Sequence, residues 1–416
     1  MVMYKGPIQE RKDEDWEERL RAVGAPLIAW YKTHARDLPW RQDRDPYGIW
    51  ISEIMLQQTR VEAVKPYYAR FMERLPDVPA LARVEEEALL KLWEGLGYYS
   101  RARNLKKAAV QMVERYGGQV PASYEELIGL PGIGSYTAGA IASIAYKIPV
   151  PAVDGNVLRV ISRVLGSLAD ISRPQTKTWM EGALKKTMDQ EQPGLFNQGL
   201  FEVGALLCTP YKGERRVSKE LSAADTGPGC GECPLAPVCV AREKDMWRMI
   251  PVKAGKKARR IEERTVLILR GWKESAEGSR GEGPDDPCGE SQALGGSEGR
   301  TEVVAIRKRP SKGLLASLYE FPNVEGRLEL EDGDARSRAI VSRTVGVAKE
   351  QIGAIRPLGE AKHVFSHVEW HMVGYLIHVE GGLPQSFIGA DTRELEGKYP
   401  LPNAFLAYRK ALSKVK

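Results

Sequence analysis

The sequence predicts a two-part chain: a mainly α N-terminal region followed by an α+β C-terminal domain. Three observations predict it. From residue 15 to about residue 207, apolar residues recur at three- and four-residue spacing, as in "IWISEIMLQQTRVEAV", "ALLKLWEGLGYY" and "YTAGAIASIAY", with Pro and Gly turns between. Beyond residue 260 the period changes. "RTVLILR", "TEVVAIRKRP" and "HVEWHMVGYLIHVE" are rich in Val and Ile and partly alternate, so they read as strands, with a helix-like "DARSRAIVSRTV" between them. Residues 241–260 carry eight Lys or Arg against two acids, which places a basic linker at 241–262. The parts are therefore 15–240 and 263–416.

Composition narrows the class. The chain has 416 residues, 43% of them apolar, enough for a sizeable core in each part. A net charge of +6 permits a polyanionic partner without requiring one. The N-terminus is charged and has no apolar run of the kind a signal peptide carries. No stretch approaches the roughly 18 apolar residues of a membrane span, so no membrane partner is expected. Residues 274–300 hold seven Gly and seven acids with one large apolar side chain, and disorder is expected there because so little surface can be buried.

Five cysteines in 416 residues are no disulfide scaffold. Three of them, Cys230, Cys233 and Cys239, fall in "GCGECPLAPVC", and the nearest further cysteine is Cys208. That C-x21-C-x2-C-x5-C spacing reads as a four-thiolate metal site, and four thiolates suit zinc as well as an iron–sulfur centre. Either metal would staple a loop-rich segment with little core of its own. Cys288, inside 274–300, reads as a lone thiol.

Three short stretches carry candidate chemistry. "LIGLPGIGSYTAGAIASIAY" (127–146) puts Gly132 and Gly134 between two helical runs, where backbone N–H groups and a helix N-terminus could grip a phosphate. Its plainer reading is an ordinary helix–turn–helix corner. Asp154 in "VPAVDGNVLRV" is either a cap or a catalytic carboxylate. Glu53 in "DPYGIWISEIMLQQTR" reads as early in a helix, where a carboxylate could simply complement the dipole. Together they say more than each does singly.

The combination resembles the MutY-type adenine DNA glycosylases of the endonuclease III superfamily. The matching runs are "LPWR" (38–41), "SEIMLQQTRVEAV" (52–64), "WEGLGYYSRARNL" (93–105), "LPGIGSYTAGAI" (130–141), "VDGNVLRV" (153–160), the cysteines, "LLASLYEFP" (314–322) and "HVFSH" (363–367). This resemblance implies a helix–hairpin–helix glycosylase region (15–240) with a [4Fe–4S] cluster on Cys208, Cys230, Cys233 and Cys239. It also implies a Nudix-like domain (263–416) that reads 8-oxoguanine. By the family pattern Glu53 is the general acid and then the base that activates water. Asp154 stabilises the sugar cation or bonds to it, and Tyr136 and Asn156 support the pair. Arg36, Leu38, Trp40 and Arg41 would line the adenine pocket. Gln58, Thr59, Leu96 and Tyr98 would engage the duplex with Gly132 and Gly134, and Phe365, Ser366 and His367 would meet the lesion. The implied partner is double-stranded DNA with 8-oxoguanine:A or G:A mispairs. The protein would be a monomer in the cytoplasm, on the nucleoid in a bacterium.

Several residues discriminate among alternatives. Bifunctional members of the superfamily place a Schiff-base lysine where this chain has Tyr136, so a monofunctional glycosylase is expected rather than a glycosylase/lyase. Retention of both Glu53 and Asp154 disfavours a non-catalytic iron–sulfur DNA-binding protein. The family usually has about six residues between the first two ligands; the 21 here should cost only about 1 kcal/mol of extra loop-closure entropy. Lys212, Arg215, Arg216 and Lys219 of that loop could reach DNA phosphates or form a solvated charge run. The C-terminal part lacks the G-x5-E-x7-REUxEE metal box, so pyrophosphate hydrolysis is not expected. His363, His367 and His371 read as the polar face of one strand.

Overall fold

The computed structural model describes residues 15–211, 228–255, 258–274 and 300–414. The four basic residues of the long cysteine loop, Cys288, and residues 275–299 of the stretch expected to be disordered (274–300) lie outside the described residues; its ends, Glu274 and Arg300, are strand residues instead. Two compact units emerge. One holds the described residues up to Val84 and from Ser100 to residue 255; the other holds Glu85–Tyr99 and the described residues from 258 onward.

The first unit is helical: α1 (Asp15–Arg21), α2 (Gly24–His34), α3 (Pro46–Leu56), α4 (Val61–Arg74) and α5 (Val78–Arg83) lead into the chain. After α6 (Glu86–Leu92), which belongs to the other unit, follow α7 (Ser100–Tyr116), α8 (Tyr124–Ile128), α9 (Ser135–Tyr146), α10 (Gly155–Leu165), α11 (Pro174–Thr187), α12 (Pro193–Glu202) and α13 (Val240–Glu243). The apolar spacing expected of helices builds a core from Leu20, Leu27, Val157, Ile161, Leu184, Phe196 and Leu200. α3 starts firmly. Asp45 caps it, its side chain accepting from the Tyr47 and Gly48 N–H groups, and Pro46 occupies the first turn.

The run "IWISEIMLQQTRVEAV" is not one helix. It breaks after Leu56 without Pro or Gly, and Gln58 sits at φ 58°. The cause lies on α7. The buried Arg101 guanidinium donates to the Ile54, Met55 and Gln57 carbonyls at 2.7, 2.9 and 2.8 Å, ending the helix by taking its last acceptors.

Between α8 and α9 the backbone turns at Gly132, whose φ is 80° and where a Cβ would lie 2.7 Å from the Asn104 side chain. Gly134 differs from expectation. Its φ is −96° and a Cβ there would meet nothing within 4 Å, so the turn itself does not demand glycine at that position.

In the second unit β1 (Arg260–Glu274), β2 (Arg300–Lys308), β3 (Tyr319–Glu320), β4 (Asn323–Glu325), β5 (Ile352–Val364), β6 (Val368–Val379) and β7 (Ile388–Ala390) form one sheet. Its order is β3-β2-β1-β6-β5, with β4 also on β1, β7 also on β2, and β1 parallel to β6. α14 (Ala335–Val345), α15 (Thr392–Gly397) and α16 (Leu406–Leu412) complete the unit. Val266 and Ile268 of β1 face one core with Trp370 and Phe405. Leu267 and Leu269 face another with Val341 and Ile377. Burial on both faces explains why "VLIL" (266–269) is uniformly apolar. The 85–99 segment is tied in by Lys91, which donates to the Leu395 and Tyr399 carbonyls at 3.0 and 3.1 Å, and by an Arg409–Glu94 ion pair.

Two expectations need correction. Residues 241–262 are not a free linker. Ala241 and Ile250 are buried, Arg163 donates to the Ile250 carbonyl at 2.9 Å, and β1 already begins at Arg260. Nor do the three histidines share a strand face. His363 is on β5 and His371 on β6, with His367 in the turn that joins them.

Candidate active site and cysteine cavity

One cavity of about 170 Å3 in the helical unit gathers all four expected catalytic residues together with the expected adenine-pocket residues. Arg36, Leu38, Trp40, Arg41, Glu53, Thr59, Tyr136, Asp154 and Asn156 line it, joined by Gln198 and Phe201. Gln58 and the hairpin glycines do not line it, and Leu96, Tyr98 and Phe365–His367 belong to the second unit.

Glu53 does not lie early in its helix. It is eighth of eleven residues in α3, only 6% exposed, so the dipole reading fails and burial decides its chemistry. Burial raises its pKa to about 7, against a hydrogen bond from Tyr136; the Asp154 charge raises it further and Arg41 lowers it. Its Oε2 is buried on the wall of a cleft, with no hydrogen-bond partner among the described residues.

Asp154 is both a cap and a cleft residue. Its Oδ1 accepts the Asn156 and Val157 N–H groups at 2.9 and 2.8 Å, and its Oδ2 accepts the Asn156 Nδ2 at 2.9 Å. Burial pushes its carboxyl above the ordinary range, and these hydrogen bonds oppose the shift by favouring the anion. From α10, Arg159 donates to Asn156 Oδ1 at 3.0 Å and to the Cys208 carbonyl at 2.8 Å. One turn on, Arg163 donates to Cys208 Sγ at 3.2 Å.

Cys208, Cys230, Cys233 and Cys239 line a second cavity with Arg163, Arg242 and Trp247. Burial raises the pKa of the Cys230, Cys233 and Cys239 thiols, and the neighbouring sulfurs raise it further. Among the described residues no group of three or more His, Cys, Asp or Glu closes into a metal-holding set. The donor chemistry nevertheless suits a thiophilic group: four soft sulfurs share one cavity with two guanidiniums to balance their charge.

Comparison with known proteins brings these parts together. Residues 51–186 match the HhH-GPD superfamily base excision DNA repair protein family, and residues 297–411 match the NUDIX domain. The rat adenine DNA glycosylase is 34% identical over 394 residues, covering 86% of this chain and 71% of the rat protein. The adenine DNA glycosylase of Buchnera aphidicola subsp. Schizaphis graminum is 35% identical, covering 85% of this chain and 86% of its own. This chain belongs to the adenine DNA glycosylase family. It is a base excision repair enzyme that joins a helix–hairpin–helix glycosylase region to a Nudix-like domain. A solved thermostable thymine-DNA glycosylase is 27% identical, covering 55% of this chain and 98% of its own with a TM-score of 0.47. No helix among the described residues is long and apolar enough to cross a membrane.

Of the residues expected at the duplex and the lesion, Tyr98, Ser366 and His367 are exposed, whereas Phe365 is part-buried against the sheet core. Tyr98, at φ 49°, is 45% exposed. Ser366 tips the turn between β5 and β6, which is closed by the Phe365 N–H donating to the Val368 carbonyl at 2.8 Å. The Tyr98 and Ser366 hydroxyls lie 3.1 Å apart within the second unit. Sequence reasoning missed Gln198, Glu202 and Arg159. A signal existed for the first two: they lie four apart and, with Asn197, are the polar residues of the mainly apolar "FNQGLFEVGALL".

Proposed function

We propose that this enzyme hydrolyses the N-glycosidic bond of adenine mispaired with 8-oxoguanine or guanine in double-stranded DNA and leaves the strand intact. The observation that carries this reading is the carboxyl pair: Glu53, buried with its pKa raised to about 7, shares one cleft with Asp154, whose two oxygens accept three hydrogen bonds from Asn156 and Val157. Adenine must first leave the stack, at a cost of a few kcal/mol. Glu53 then gives its proton to the leaving base and, once ionised, takes one from the attacking water. Asp154 faces the cationic sugar as a stabiliser or nucleophile. Tyr136 hydrogen-bonds Glu53 and has no amine with which to form a Schiff base, which supports the monofunctional reading.

Cys208, Cys230, Cys233 and Cys239 would hold a [4Fe–4S] cluster, which when bound cross-links the segment around it. Gly132 and its hairpin would take a phosphate. Gln58, Leu96 and Tyr98 would occupy the space the base vacates, and Phe365, Ser366 and His367 would read the opposite base.

The test is a denaturing gel of duplexes with A opposite 8-oxoguanine, with and without alkali and with borohydride. Strand breaks after alkali alone, without a trapped adduct, are expected. Breaks without alkali together with efficient trapping would assign lyase activity instead.

A further inference from the structure

The turn that follows α3 is held in a conformation that its own sequence would not choose. Gln58 has a φ of 58°, in the left-handed region, and the surrounding "LQQTR" contains no glycine. A residue other than glycine is disfavoured there by roughly five- to thirtyfold against an ordinary backbone, so something must hold it. The holding group is Arg101, in the first turn of α7 and 8% exposed. Its Nη1 makes the three carbonyl contacts that end α3, and the last of them is to Gln57, the residue before Gln58. Its Nη2 lies 3.5 Å from Thr59 Oγ1, on the far side. One guanidinium therefore grips the chain on both sides of Gln58. The Thr59 N–H closes the turn by donating to the Leu56 carbonyl at 3.2 Å. Gln58 is exposed, and none of these bonds uses its side chain. Thr59 lines the cleft that holds Glu53, so the turn stands at the edge of that cleft.

We propose that Arg101 is a positioning residue for base extrusion, fixing the turn at 57–59 so that Gln58 is presented, backbone already set, to the space the adenine vacates. The inference rests on the reading of Gln58 as the residue that fills that space. Strain of this kind persists only where the surroundings over-determine it. A loose turn would have to order as the base leaves, adding its entropy to the cost of unstacking, whereas a turn ordered beforehand adds none. A cation suits the position because the last carbonyls of a helix carry the negative end of its dipole, and charged donors bond them more strongly than neutral ones. All three carbonyls converge on one nitrogen, so a lysine ammonium can replace part of the contact.

Extrusion is read from the fluorescence of 2-aminopurine placed as the target base opposite 8-oxoguanine, on a 2′-fluoro sugar that resists an oxocarbenium-forming cleavage. The stacked base is dim and the extruded base bright, so the signal at saturating protein gives the ratio of extruded to stacked complex. Gln58→Ala should lower that ratio. Arg101→Gln should lower it by roughly five- to thirtyfold, the preference the released turn regains, and Arg101→Lys, a shorter cation, should show a smaller fall. The double variant Gln58→Ala/Arg101→Gln should lie no lower than Gln58→Ala alone, because both changes remove the same contribution. Falls that multiply in the double variant would mean that Arg101 acts by a route that bypasses Gln58, and would overturn the proposal. An unchanged ratio in Arg101→Gln would overturn it too. Should Arg101→Gln fail to fold by circular dichroism, Arg101→Lys carries the same cycle: its fall must vanish in the Gln58→Ala background, and no fall, or one that persists, overturns the proposal. A wild-type ratio in Gln58→Ala would remove the reading of Gln58, and the inference with it.

Discussion

At the scale of single residues, what matters is where a proton sits. Glu53 is a buried carboxyl in a cleft that Ile49, Leu56, Ile144 and Phe201 also line, and that burial keeps its acid form available near neutrality. Glu53→Gln and Asp154→Asn should each abolish adenine release while mismatch binding persists, because each removes a proton donor or charge needed only during bond cleavage. Substantial single-turnover release by either variant would reject these roles. The same burial carries a stability cost of definite sign. The folded pKa lies above the unfolded one, so the protonated carboxyl fits the fold below the unfolded value, and stability falls as pH climbs from about 4.5 to about 7. The full loss is about 3 kcal/mol. Glu53→Gln should therefore melt higher than wild type at pH 8 and match it near pH 4. Identical melting differences at the two pH values would show that Glu53 is not held protonated.

At the scale of elements, α10 does several jobs at once. Its cap is Asp154, its first turn presents Asn156, and Arg159 and Arg163 run back from it to Cys208. A change at the cysteines is thus one hydrogen-bonded chain away from the carboxylate. Arg159→Met should slow adenine release, since losing a charged donor to Asn156 and to two backbone carbonyls costs about 1.5–3 kcal/mol per strong bond. Equal single-turnover rates for the variant and wild type would break that link. Metal analysis should find about four iron and four sulfide per chain. Cys208→Ser should lower that content and Cys288→Ser should not. One zinc and no iron would end the cluster assignment.

The helical elements were legible because their period was clean, and the motif residues were legible because "LPWR", "SEIMLQQTR" and "VDGN" are contiguous. What could not be read were effects of distant contacts. Arg101 ends α3 across 44 or more positions of chain, and Glu202 reaches back 161 and 166 residues to Arg41 and Arg36. Short-range periodicity carries no trace of either. Likewise the three histidines, evenly spaced in sequence, belong to a hairpin because the Phe365–Val368 turn falls between them.

At the scale of the whole molecule, the proposed function would divide catalysis and lesion reading between different residues of one chain. Adenine opposite thymine is normal DNA, so the choice of target must come from the opposite base. 8-Oxoguanine differs from guanine at N7, now a donor, and at C8, now carrying an oxygen. A serine hydroxyl can accept from the first or donate to the second. Ser366 is exposed at a turn tip, with the Phe365 ring braced 4.6 Å from His363 and 4.9 Å from Trp370. Losing one such hydrogen bond costs roughly 0.5–1.5 kcal/mol, enough to change discrimination several-fold without touching the chemistry. The most direct measurement compares single-turnover adenine release from two duplexes that differ only in the opposite base, 8-oxoguanine or guanine. Wild type, Glu53→Gln and Phe365→Ala/Ser366→Ala are assayed side by side. Wild type should act on both duplexes and favour 8-oxoguanine, Glu53→Gln should act on neither, and the double variant should act on both with a smaller preference. Near-wild-type release by Glu53→Gln, or an unchanged preference in the double variant, would contradict the account.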